Sequence, residues 1–206
     1  MQERILVWDW PTRVFHWSFA LSFAGAYLTA ESERYRDIHL ALGYIFAGLL
    51  VFRVIWGFIG TSYARFSSFS FKPNAVLSYL QSLPKGQAQH FLGHNPAGAV
   101  AIFLLLGLGL LISFSGIVLD RELASTNWED LLAETHEWSA NLMLFVVFAH
   151  IAGVLISSYL HRENLAKSML TGFKQGQPQV AISRSFLWLS LVMLLAILVF
   201  LVTYLS

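Results

Sequence analysis

Four of the seven histidines in this chain stand where an imidazole is costly unless something partners it. His16 and His150 interrupt long apolar stretches; His39 sits near the start of another, and His136 stands just before the stretch that holds His150. His136 and His150 are 14 residues apart. On a helix that spacing is about 1400°, roughly 40° short of four turns, so both rings leave nearly the same face, about 21 Å apart along the axis. One metal ion cannot use both, whereas two centres stacked across a bilayer can. Cysteine is absent, which excludes disulfides, thiolate-held zinc or iron–sulfur clusters, and thioether attachment of a cofactor.

The elements that must carry these histidines are membrane helices. Apolar runs of roughly 17 to 23 residues recur at Val14–Ala30, Ile38–Gly60, Ala97–Leu119, Trp138–Leu160 and Phe186–Leu205, each long enough to cross a hydrocarbon core. The chain is 56% hydrophobic and 12% charged, with a mean hydropathy of +0.60. Arg53 is the only Lys, Arg, Asp or Glu inside the five runs. No strand alternation is visible, and in lipid only helices or closed barrels satisfy their own backbone. The first run ends in Leu28-Thr29-Ala30, a poor cleavage site preceded by Asp9, so it is expected to be retained as a span.

Charge sets the expected orientation. Glu31–Asp37 holds two Arg against three acids, and Asp120–Glu137 one Arg against six acids. Thr61–Pro96 holds three basic residues and no acid, and His161–Ser185 four basic residues against Glu163. Basic and acidic loops alternate, as five crossings require, which puts the N-terminus and the basic loops in the cytoplasm and the C-terminus in the periplasm. Tryptophans at 8, 10, 17, 56, 128 and 138 fall near span ends and read as interfacial anchors. Asn74–Leu83 places Val76, Leu77, Leu80 and Leu83 on one face and predicts a short helix on the inner membrane surface.

With this topology, depth pairs the histidines. His39 and His136 lie towards the outside, His16 and His150 towards the inside. Four imidazoles on three helices make two bis-histidine sites, the chemistry of two b-type haems with neither iron open to oxygen, and therefore of electron transfer. A proton relay would place carboxylates inside the spans, which have none. Gly43, one turn after His39, leaves room for a flat macrocycle. Arg13 and Arg53 are placed to meet the propionates of the inner haem, and Arg34 or Arg36 those of the outer. His90 and His94, four apart before Pro96, lack an obvious third ligand and are read as surface or capping residues.

The segment Val7-Trp8-Asp9-Trp10-Pro11-Thr12-Arg13-Val14-Phe15-His16-Trp17 resembles the opening of the bacterial cytochrome b561 family, which includes the b-type cytochrome subunits of nickel–iron hydrogenases. In the same order follow His39-Leu40-Ala41-Leu42-Gly43, Arg53 to Gly60 leading to Ala64-Arg65-Phe66, Gly93-His94-Asn95-Pro96-Ala97-Gly98, His136-Glu137 through His150, Glu163-Asn164 and Met169-Leu170-Thr171-Gly172. The resemblance spans roughly residues 7 to 174. It implies a four-helix bundle binding two b haems through His16, His39, His136 and His150. It also implies electron exchange between membrane quinone or quinol and a redox partner such as a c-type cytochrome.

The expected fold is thus an all-α integral membrane protein of the bacterial inner membrane: a four-helix transmembrane bundle holding two haems (1–174), then a linker and a fifth, peripheral C-terminal transmembrane helix (175–206). The expected function is transmembrane electron transfer, with quinol oxidoreductase activity left open. The acidic Asp120–Glu137 segment is the expected docking face for a cationic periplasmic partner. Alternatives are a haem-binding anchor subunit of a hydrogenase or dehydrogenase complex, and a small transporter or proton channel using the histidines directly. Membrane lipid and a homodimer or complex are expected partners; nucleic acid is not.

Overall fold

The structure is a computed structural model and describes residues 3–206. Helix α1 (Trp10–Thr29) starts where Asp9 accepts the Thr12 backbone N–H at 2.7 Å and Pro11 occupies the first turn, where its missing N–H costs nothing. Helix α2 (Arg36–Ile59) stops at Gly60, where any Cβ would lie 2.4 Å from the Trp56 carbonyl oxygen. A short helix α3 (Pro73–Ser82) follows, matching the helix expected over Asn74–Leu83. Helix α4 (Pro96–Asp120) repeats the opening logic of α1: the Asn95 side chain accepts the Gly98 N–H at 2.7 Å, with Pro96 in the first turn.

Helix α5 (Thr126–Leu160) is 35 residues long, about 52 Å at 1.5 Å per residue. It begins twelve residues before the apolar run at Trp138, so most of the acidic segment expected as a loop is a helical extension carrying Glu129, Asp130, Glu134 and Glu137. Helix α6 (Leu165–Thr171), capped by Asn164, ends at Gly172. Gly172 has φ +88°, and a Cβ there would lie 2.7 Å from the Trp8 carbonyl oxygen, so this turn requires glycine. Its own carbonyl accepts the N–H groups of Val7 and Trp8 at 2.9 and 3.0 Å. That contact aligns strands β1 (Glu3–Leu6) and β2 (Phe173–Gly176) as an antiparallel ribbon, Glu3 opposite Gly176. The apolar pattern had announced no strand; this ribbon closes the chain across some 170 residues. Helix α7 (Leu187–Leu205) completes the fold.

α1 packs on α2 and α4 on α5, and the two pairs join where α2 meets α4. Phe15, Phe19 and Phe23 of α1, Phe46, Leu49 and Leu50 of α2, Leu106 and Leu108 of α4, and Met143 and Val146 of α5 form one core, with Phe19 stacked on Phe46 at 4.1 Å. α7 lies against α1 and α2, and its Met193 is part of that core, so it is an integral neighbour of α1 and α2 rather than a loosely attached addition. Many other large apolar side chains point outwards: Leu21, Phe58, Phe114, Phe145, Tyr159 and Leu195 are each at least 60% exposed, as a lipid-facing surface requires.

Among the described residues, four helices are long and apolar enough to cross a membrane: α2, α4, α5 and α7. The 20-residue α1, expected as the first of five spans, is not among them. Its polar Thr12, Arg13, His16, Ser18 and Ser22 dilute the phenylalanines. Two of the six tryptophans expected at the lipid interface are instead buried. Trp8 packs with Val7 and Ile5, and Trp56 donates its indole N–H to Asp9 at 3.2 Å.

Candidate functional site

His39, on the first turn of α2, and His136, on α5, approach each other with ring centroids 6.2 Å apart and planes at 66°. Each ring is oriented by the backbone of a neighbouring helix. His39 Nδ1 lies 2.9 Å from the Ala26 carbonyl oxygen of α1, and His136 Nδ1 lies 3.0 Å from that of Ile112 on α4. A carbonyl can only accept, so each Nδ1 carries the hydrogen and each Nε2 keeps its lone pair. This is the usual arrangement of a metal-ligating histidine, whose second nitrogen is tied to an oxygen. Ser115, fully buried, adds its hydroxyl 3.2 Å from His136 Nδ1, and Gly116 admits the ring, since a Cβ there would lie 2.9 Å from His136 Cε1.

A cavity of about 260 Å³ opens beside this pair, lined among others by Phe23, Arg36, Gly43, Tyr44, Phe46 and Asp120. A Cβ on Gly43 would meet no atom within 4 Å, so the space the sequence asked of that glycine exists. Of the two arginines considered for this end, Arg36 lines the cavity, while Arg34 rests over Tyr35 at 5.6 Å. A polar network absent from the sequence reading caps the cavity: Tyr44 donates its hydroxyl hydrogen to Asp120, and Arg121 Nε donates to the Tyr44 oxygen at 2.8 Å. Phe200 and Tyr204 of α7 lie with ring centroids 6.4 and 6.0 Å from Tyr44.

His150 lies 14 residues further along α5 than His136, and His16 lies in the first half of α1, the two histidines expected to form the second pair. His16 Nδ1 is buried without a partner. Arg53 is 4% exposed, lies over Phe66 at 4.7 Å, and has a buried Nη1 that bonds to nothing. Arg13 is partly committed: one terminal nitrogen donates to the Leu170 carbonyl, its guanidinium lies over Trp10 at 3.9 Å, and its Nε is an orphan.

His94 is not the surface or capping residue expected. Asn95 does the capping, and the His94 ring packs between Trp8 at 4.8 Å and Phe69 at 4.6 Å with a buried, unpartnered Nδ1. Burial, then the nearby Arg53 charge, pushes it down to about 3, so the ring is neutral at physiological pH. His90 is exposed, bonded to Glu163 at 2.9 Å, and Glu163 also pairs with the buried Lys174 at 3.1 Å. Nothing in the sequence marked Tyr44 or Ser115, and Asp120 stood out only as an acid of the expected outer segment; their roles depend on contacts between helices distant in the chain.

The residues fit a haem. Two imidazoles on opposite sides of one metal, with metal–nitrogen bonds of about 2 Å, place their ring centres about 6 Å apart. The His39–His136 separation matches, both Nε2 atoms are free, and an apolar cavity with a basic residue at its edge adjoins them.

Fold and site together define a multi-pass helical membrane protein organised around imidazole pairs. A family model for prokaryotic cytochrome b561 matches residues 7–172, and the chain belongs to that family. It is 26% identical to proteins named "Probable Ni/Fe-hydrogenase B-type cytochrome subunit" from Azotobacter chroococcum mcd 1 and Azotobacter vinelandii, over 86% of this chain and 92% of each relative. A protein of the same name from Rhizobium leguminosarum bv. viciae matches at 26% over 83% of this chain and 89% of its own length. No solved structure matches the chain. The chain is thus a haem-binding membrane electron-transfer protein, with haem b as the cofactor its family uses.

Proposed function

We propose that this protein carries electrons through the membrane on two b haems, one held by His39 and His136 and the other by His16 and His150. The observation that carries the reading is the His39–His136 pair, with its 6.2 Å ring separation and both Nδ1 atoms turned to backbone carbonyls. A haem held by each imidazole pair would supply reversible one-electron exchange, and two protein nitrogens on its iron would suit it to electron transfer rather than oxygen binding. The chain's own residues then hold and insulate. The carbonyls of Ala26 and Ile112 fix the two rings at one end, and Gly43 leaves the macrocycle its space. Arg36 at that end, and Arg53 with Arg13 at the other, offer cations to the propionates. The phenylalanines between the two ends keep water out.

In this reading α1 is the first of five crossings, the N-terminus is cytoplasmic, and residues 1–174 form the di-haem unit with 175–206 as linker and added helix. The α5 extension, with Glu129, Asp130, Glu134 and Glu137, is the docking face for a cationic periplasmic redox protein such as a c-type cytochrome, and quinone or quinol is the other redox partner. A second reading, a subunit of a membrane-bound hydrogenase complex, is favoured by the names of the three relatives. Both require haem. A purified protein with no reducible b-type absorption would remove them together and leave a transporter or channel. Haem quantification decides the ligands: His16→Ala, His39→Ala, His136→Ala and His150→Ala should each retain one haem of two, and two full haems in any of them would contradict the assignment.

A further inference from the structure

At the His16–His150 end, buried polar atoms without partners accumulate: Thr12 Oγ1, Arg13 Nε, His16 Nδ1, Arg53 Nη1 and His94 Nδ1. Orphaned buried donors are rare because each forfeits its hydration with no return. The one buried acid nearby cannot satisfy them. One Asp9 oxygen accepts the Thr12 N–H at 2.7 Å, and the other accepts the Trp56 indole N–H at 3.2 Å and the Thr61 hydroxyl at 2.5 Å. The Asp9 carboxylate is close enough to offset part of the charge of the 4% exposed Arg53 guanidinium but makes no bond to it, so Arg53 Nη1 keeps a hydrogen for an anion that can reach it.

His94 and Arg53 share a wall. Phe69 lies 4.6 Å from the His94 ring and 5.9 Å from the Arg53 guanidinium. Trp8 clamps its other side, and Trp8 is itself fixed by the Gly172 carbonyl. Gly172 also neighbours Arg13, one turn before His16: a Cβ on Gly172 would lie 3.2 Å from Arg13 Nη1. The ring is thus held by aromatic contacts that leave Nδ1 buried and free. The following residues open α4, whose N-terminal dipole adds positive potential where an anion would sit.

We propose that His94 is a third propionate-holding residue of the haem at the His16–His150 end, its Nδ1–H donating to a propionate carboxylate that Arg53 also binds. This rests on the two-haem reading above and adds a ligand to the cofactor's carboxylates rather than to its iron. A donor on the propionate withdraws negative charge from the neighbourhood of the iron and so favours the reduced form.

The test uses the purified, haem-loaded protein carrying ¹³C-labelled propionates, as wild type, His94→Ala and His94→Asn. Redox-difference infrared spectra read the carboxylate bands, and a potentiometric titration separates the two haems. His94→Ala should shift the labelled bands and move one midpoint to more negative potential, by up to tenfold in the reduction equilibrium, which is 59 mV for one electron. The second midpoint should stay in place. His94→Asn keeps an N–H donor at the Nδ1 position and should restore both signals. Loss of that haem from the alanine variant with retention in the asparagine variant also supports the proposal, while loss from both overturns it. Unchanged propionate bands with two haems present overturn it, and so does a response confined to added quinone, which would make Nδ1 a quinone contact. Wild-type protein lacking two haems would instead defeat the two-haem reading itself.

Discussion

The two ends of α5 solve one problem differently. At the His136 end, each imidazole is oriented by a backbone carbonyl of a neighbouring helix, and the polar groups around the cavity, Tyr44, Asp120 and Arg121, satisfy one another. At the His150 end, His16 Nδ1, Arg53 Nη1 and His94 Nδ1 remain buried and unpaired. The first end is organised by the chain alone, because carbonyls of α1 and α4 lie within reach. The second is organised for something the chain does not provide. The His136 end has one such orphan, the Ser113 hydroxyl, whereas the nitrogen donors gather at the His150 end, where an anion would satisfy them.

The largest effects should separate the ends outright. Gly43→Phe fills open space beside the His39–His136 pair; the expected outcome is loss of the haem at that end with the other retained, read by haem content. Loss of both would show that the ends do not fold independently. Asp9→Ala attacks the opposite end, removing a fully buried carboxylate that receives three donors, one of them the N-cap bond of α1. It should cost about 3 kcal/mol or more in thermal unfolding, since Trp56 and Thr61 would be left unsatisfied.

His94 supplies the pH arm of the same contrast. Its imidazole is held at about 3 in the folded chain against an ordinary 6.5, by burial first and then by Arg53, with His150, Lys174 and His16 adding to the effect. The unfolded chain therefore takes up a proton that the folded chain refuses. Stability from this group is complete above pH 6.5 and is lost as pH falls towards 3, by up to about 1.4 kcal/mol per pH unit. Melting of haem-free protein should lose stability with acid partly through this group, and His94→Asn should lessen that slope without abolishing it; an identical slope in the variant would place the acid sensitivity elsewhere.

Much of this arrangement is written locally. The apolar run Ile38–Gly60 becomes α2 within two residues, and Asp9 with Pro11 and Asn95 with Pro96 start α1 and α4 by capping chemistry visible in the residue order. The 14-residue spacing of His136 and His150 sits on one continuous helix, and His39 and His136, assigned to the same depth by the alternation of loop charge, lie near each other. What stayed hidden depends on distant partners. The extension of α5 to Thr126 is polar, so no apolar run announces it. Trp8 and Trp56 have the composition of interfacial anchors, yet one faces His94 and the other Asp9. The burial of His94 requires Trp8 and Phe69, 86 and 25 residues earlier, to meet around it.

The smallest expected effect sharpens the contrast most, because it tests which atom orients His136. Ser115 is fully buried, donates to the Leu111 carbonyl at 2.6 Å, and presents its oxygen 3.2 Å from His136 Nδ1. The Ile112 carbonyl lies closer to the same nitrogen, at 3.0 Å, and belongs to backbone that no side-chain substitution removes. If the carbonyl holds the ring, Ser115→Ala should lose about 1 kcal/mol or less of thermal stability and keep both haems, because the Nδ1–H retains its main acceptor and Leu111 loses only a second donor. If the variant instead sheds the haem as His136→Ala should, the serine is the orienting group. This end would then rest on a replaceable side chain rather than on the backbone of α4.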